Sequence, residues 1–176
     1  MKTFIKKIGD AATNTIKGWE ERSDPDAVVL DNFSRSLQID TYSCGAQSTF
    51  MILRYYGKAR TAQGVERALG TTEEGTTEDQ IRRLLVERGL RPRRITRPTI
   101  AKLRAAIDEG CPVLVSVDAK EIENGHWAVV YGYTKAGIYV ADPSLKRAIF
   151  CRHDNQQFLR RWDRWALVCG TARPKS

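Results

Sequence analysis

From Cys44 to Tyr56 apolar side chains recur at helical spacing, with Ala46, Phe50 and Leu53 on one face and Gly57 as a stop. Helical spacing returns at 61–69, and again at 77–88, where Thr77 is placed to cap and Gly89 to terminate. A fourth helix is predicted over 98–109, from Pro98 in its first turn to Gly110 at its end. Beyond residue 112 the pattern changes. VLVSV (113–117), HWAVVYGY (126–133), GIYVAD (137–142), RAIFC (147–151) and RWALVCG (164–170) are β-branched or aromatic runs separated by turn formers. The gap Thr134–Gly137 fits a hairpin, and DNQQFLRRW fits a short helix between the last two strands. Helices first and an antiparallel sheet after them predict an α+β domain.

Residues 1–22 form a separate amphipathic pattern, with Phe4, Ile5, Ile8, Ile16 and Trp19 roughly on one face, ending at the turn signal Ser23-Asp24-Pro25. The chain therefore divides into an N-terminal helix and linker over 1–27 and a domain over 28–176. The helix is expected to pack on the domain, or to dock a partner or a membrane surface.

Composition narrows the class. The 176 residues suffice for one domain with its own core, and 41 % hydrophobic with 9 % aromatic residues is ordinary for a globular protein. No run approaches the ~18 apolar residues of a membrane helix. Lys6, Lys7, Asp10 and Asn14 interrupt every candidate signal-peptide core, so a cytoplasmic location, or export without a classical signal, is expected. Four dispersed cysteines and two histidines argue against a zinc site, and Cys111, Cys151 and Cys169, in or beside apolar stretches, read as free, buried thiols. The net charge of +8 is uneven: nine Lys or Arg stand against Glu87 alone over 82–104. That segment lacks interleaved aromatics and any nucleic-acid motif, so it reads as a solvated basic face rather than a nucleic-acid site.

Cys44 differs from the other cysteines. It opens the first core helix after the polar stretch DTYS, where unpaired amides and the helix dipole favour a thiolate. Gly45 after it is expected to leave room for a substrate chain. Gln38, six residues earlier, could donate to an oxyanion together with the Cys44 N–H. His126 opens a strand after the turn Glu-Asn-Gly, whereas His153 sits among charged residues and reads as a surface histidine. Asp142 ends the next strand. If the two strands pair as a hairpin, Asp142 falls at the same end as His126 and could hold its tautomer. The alternative for Asp142 is a plain Asp-Pro turn starter.

QIDTYSCGAQSTFMILRYYG, GTTEDQIRRLLVERGL and GHWAVVYGY followed by YVADPS resemble, in this order, the papain-like cysteine peptidases. The likeness is greatest to the branch of bacteriocin-processing, double-glycine leader peptidases and their stand-alone relatives, and it covers about residues 28–170. It implies a papain-like fold with the cysteine at a helix start packed on the C-terminal sheet. It implies Cys44 as nucleophile, His126 as base and acid, Asp142 as orienter and Gln38 as oxyanion donor. It also implies a peptide substrate, a small-residue or Gly-Gly cleavage site, an acyl-enzyme and no cofactor. The same triad would serve an acyltransferase or amidase. A non-catalytic peptide-binding domain of this fold is a further alternative, against which the four filled positions argue.

Overall fold

Val28–Val29 (β1) leads by a long loop into helix α1, Cys44–Tyr55, in a computed structural model that describes residues 24–171 apart from 39, 120–121, 123–124 and 145–151. The helix expected over 1–22 and the strand expected at 147–151 lie outside the described residues. Local chemistry sets the next boundaries. Thr61 caps α2, Ala62–Leu69, by accepting from Gly64 N–H, and Gly70 closes it in the left-handed conformation. Thr77 and Gln80 close a capping box on α3, Glu78–Glu87. Helix α4, Ile100–Asp108, is capped by Thr99, so Pro98 precedes the helix instead of lying in its first turn. Strand β2, Leu90–Arg94, separates α3 and α4.

The remaining strands are β3 (Val113–Val117), β4 (His126–Tyr133), β5 (Gly137–Ala141), β6 (Arg152–Asp154) and β7 (Trp162–Thr171), with α5, Asn155–Arg161, between β6 and β7. They form one antiparallel sheet in the order β2-β7-β3-β4-β5-β6, and β1 pairs with β4. The architecture is the expected α+β domain. Strand β2 was not expected: its sequence, LRPRR, hides it behind a proline and three arginines. Its position explains the composition, because among the described strands β2 pairs with β7 alone and lies at the sheet edge, where charges and proline are tolerated.

Helix α1 lies on the sheet and is buried almost end to end, with Met51, Ile52 and Leu53 fully enclosed. Phe33, on the loop before it, stacks on Tyr131 of β4 with ring centroids 5.2 Å apart. Ser48 Oγ donates to the Trp127 carbonyl at 3.1 Å. The start of α1 is thereby fixed against the start of β4. No described helix is long and apolar enough to cross a membrane.

Candidate active site

Cys44 is the first residue of α1 and is half-buried. The first intrahelical bond runs from Gln47 N–H to the Ser43 carbonyl, and the Ser43 side chain does not cap. Helix geometry therefore leaves the amides of Cys44, Gly45 and Ala46 without intrahelical acceptors. Upstream, Asp40 Oδ1 accepts from the Tyr42 and Ser43 amides at 2.9 and 2.7 Å, which fixes the approach to the helix.

His126 is brought to this point by β4. Gly125 turns the chain into the strand at φ 70°, a conformation that suits glycine. The β4–β5 hairpin pairs Val129 with Ala141, and a bulge around Tyr131 shifts the register between Val130 and Gly132. Continued by one step, that register sets Ala128 opposite Asp142, with His126 on the same face two residues further on. The two side chains meet: His126 Nε2 donates to Asp142 Oδ1 at 2.6 Å, with both groups buried. Nδ1 is then the ring nitrogen left for the Cys44 thiol, which is near enough to help raise the imidazole pKa.

Charge follows geometry. Burial pulls the His126 pKa down, but the bonds and negative charge of Asp142 and Cys44 outweigh it and push the imidazole up to about 9. Burial likewise works against the Asp142 carboxylate. His126, the Ser144 amide and Arg161 overcome it and bring Asp142 down to about 2. The expected turn is present as well, since Asp142 Oδ1 accepts from Ser144 N–H at 2.9 Å. The turn and the His126 bond share one oxygen. Cys169, wholly buried, is pushed up to about 12, and Cys111 is also raised, chiefly by burial.

Gln38 lies on the loop that reaches α1. Its backbone N–H donates to the Pro143 carbonyl at 2.8 Å, so the loop runs beside the Asp142 turn. Ser36 Oγ donates to Gln47 Oε1 at 2.6 Å and ties the same loop to α1. The Gln38 amide is buried; Nε2 gives one hydrogen to the Asp40 carbonyl at 2.8 Å, which leaves its second N–H available.

Gly45 departs from expectation. The space beside its Cα is not open to a substrate chain. A Cβ there would fall 2.7 Å from Thr76 Cβ and 3.0 Å from Trp127 Cδ1. Trp127 Nε1–H donates to the Thr76 carbonyl at 2.9 Å, which fastens the 71–76 loop over the helix start. Glycine is required because loop and indole press on the backbone. Gly45→Ala is expected to destabilise the domain by about 1–3 kcal/mol through overpacking. Thermal unfolding measures this, and an unchanged midpoint would refute the packing argument.

Arg161 and Asp118 also reach the site, though no local pattern in the sequence marks either. Arg161, the last residue of α5, donates to Asp142 Oδ2 at 3.1 Å and holds Asp118 bidentately, Nε to Oδ1 at 3.0 Å and Nη2 to Oδ2 at 2.8 Å. In sequence nothing separates Arg161 from its neighbour Arg160. His153 is half-buried rather than a surface histidine, with Nε2 facing Arg161 Nη1 at 2.9 Å. Among the described residues no group of three or more His, Cys, Asp or Glu is arranged to hold a metal ion.

A cysteine at the start of a buried helix packed on an antiparallel sheet, with a histidine opening one strand of that sheet and an aspartate just beyond its neighbour, fits the papain-like fold. More narrowly, the chain belongs to the Peptidase_C39 like family, whose model matches residues 30–167. No curated protein matches it in sequence. Among solved structures it is similar to the peptidase domain of Streptococcus ComA, a bi-functional ABC transporter involved in a quorum sensing pathway. That likeness has TM-score 0.68 and 22 % identity, covering 80 % of this chain and 100 % of that one. It is also similar to a double glycine motif protease from an AMS/PCAT transporter, solved with its leader peptide (TM-score 0.64, 20 % identity, covering 79 % and 91 %). A protein described as a C39-like peptidase from Bacillus anthracis gives TM-score 0.67 at 17 % identity, covering 83 % and 98 %. At these identities the structural likeness establishes the fold.

Proposed function

We propose that this chain is a cysteine peptidase in which Cys44 attacks the peptide carbonyl. The observation that carries this reading is the buried His126 side chain, bonded at 2.6 Å to Asp142, with Cys44 near enough to help raise its pKa. With its pKa near 9, His126 is an imidazolium at neutral pH, poised to pair with the sulfur of Cys44 as it attacks and to give a proton to the leaving group. The thiolate adds to the carbonyl carbon. The Cys44 amide and the free N–H of Gln38 receive the oxyanion. His126 passes its proton to the leaving amine, the C–N bond breaks, and a thioester remains on Cys44. Neutral His126 then takes a proton from water, which hydrolyses the thioester and releases the acid.

The cut follows a small residue, with Gly-Gly as the reference site. The likeness to a double glycine motif protease solved with a leader peptide supports this.

Two measurements test the reading. Iodoacetamide at pH 6, read by mass spectrometry, is expected to label Cys44 well ahead of Cys111 and Cys169, whose pKa values burial raises. Equal labelling would refute the activated thiol. Cleavage profiling on a peptide library, with Cys44→Ala as control, is expected to return cuts after small residues. Acyl transfer to an added amine without hydrolysis would replace the peptidase reading by a transferase.

A further inference from the structure

We propose that Arg161 is a positioning residue for the His126–Asp142 pair, held in place by Asp118. The inference rests on the peptidase reading above and deepens it. Asp142 is fixed from three directions. Oδ1 accepts from His126 Nε2 and Ser144 N–H, and Oδ2 accepts from Arg161 Nη2 at 3.1 Å. The third contact decides the rotation of the carboxylate, because among the described residues it is Arg161 that holds Oδ2. A planar guanidinium fork suits this task, since it can hold one carboxylate bidentately and still reach a second.

Arg161 is itself set by its surroundings. Asp118 takes Nε and Nη2 in a two-pronged bond at 3.0 and 2.8 Å, and Asp118 N–H donates to the Arg161 carbonyl at 2.7 Å. His153 Nε2 accepts from Nη1 at 2.9 Å, so this histidine is neutral and carries its proton on Nδ1. Burial and the Arg161 charge lower its pKa in keeping with that. Asp118 and Asp142 are each only 2 % exposed at the side chain, so neither charge is met by water.

Backbone geometry serves the same end. Val117 pairs with both His126 and Trp162, so the residues after Val117 and before Trp162 converge beside the histidine. The β3–β7 register shifts there: Ser116 faces Trp165 while Val117 faces Trp162. Asp163 and Arg164 form the extra loop, with Arg164 at φ 58°. Asp163 fastens it by accepting from Ser116 Oγ at 2.8 Å and Ala119 N–H at 3.1 Å. Asp118 stands at φ 59°. A bulge and two left-handed residues at one corner re-aim side chains towards the pair, as bulges do beside active sites.

The experiment follows the His126 ring through its 15N shifts from pH 5 to 10, in parallel with the rate of Cys44 alkylation by iodoacetamide. Asp118→Asn removes a negative charge and loosens the fork. Both changes lower the imidazolium pKa, so the His126 midpoint is expected to fall from about 9 by about one unit. Alkylation at pH 8 is expected to slow about twofold with it, as the imidazolium fraction falls. Arg161→Lys keeps the charge but not the fork, so a fall in the same midpoint reports position alone. Folded variants that lose thermal stability while both titrations stay as in the wild type would make the clamp a structural staple and overturn the inference. A wild-type Cys44 that is no more reactive than Cys111 would instead sink the peptidase reading beneath it.

Discussion

Cys44→Ala is expected to abolish peptide cleavage, lowering kcat by on the order of 10⁴-fold or more, because no other group can form the acyl intermediate. The substitution removes one half-buried sulfur from a helix whose packing residues lie further along, so unfolding temperature and peptide binding are expected to change little. Cys44→Ser is the sharper variant. A serine hydroxyl needs a base to take its proton, and His126, with its pKa near 9, is already protonated at neutral pH. The serine variant is therefore expected to be as inactive at pH 7 as the alanine variant. Steady-state kinetics on a peptide found by profiling measures both, and cleavage within tenfold of the wild type in either variant would refute the thiolate mechanism.

Asp142→Ala is expected to cost about 10³-fold in kcat at pH 8, within the range for lost acid–base positioning. Without the carboxylate, burial acts on His126 with less opposition, and its pKa falls from about 9 towards or below the ordinary 6.5. The imidazole is then neutral at pH 8, and the leaving amine loses its proton donor. The wild-type alkaline limb should lie near pH 9, and in the variant it should move to near or below neutrality. The linkage has the matching sign. A histidine whose folded pKa is raised stabilises the fold fully below about 6.5, and that stability is lost as pH rises through about 9. Asp142, lowered to about 2, stabilises above about 3.8 and loses that as pH falls through about 2. Arg161 keeps Asp118 as a partner in the variant, so the domain is expected to remain folded. An alkaline limb left near pH 9 in the alanine variant would separate Asp142 from the catalytic proton.

Much of this was legible in the residues because local chemistry determined it. Thr77 with Gln80 marks a helix start by a capping box, and the 16-residue spacing of His126 and Asp142 is what a two-strand hairpin imposes. What was hidden depends on distance along the chain. Leu90–Arg94 is a strand only because β7, more than seventy residues later, pairs with it. The crowding at Gly45 comes from Thr76 and Trp127, which no local pattern connects to it. Arg161 and Asp118 meet across 43 residues through a register shift, and register shifts leave no trace in periodicity.

The sheet order also has a meaning in time. Strand β7 is the last of the described strands to leave a ribosome, yet it lies inside the sheet, between β2 and β3. Until it inserts, β2 has no neighbour in the sheet, and β3 presents an unpaired edge. The residue immediately before β7 is Arg161. A growing chain thus carries its thiol, imidazole and carboxylate well before the strand that completes the scaffold around them. Synthesis itself delays a finished cleft until nearly the whole domain has been made.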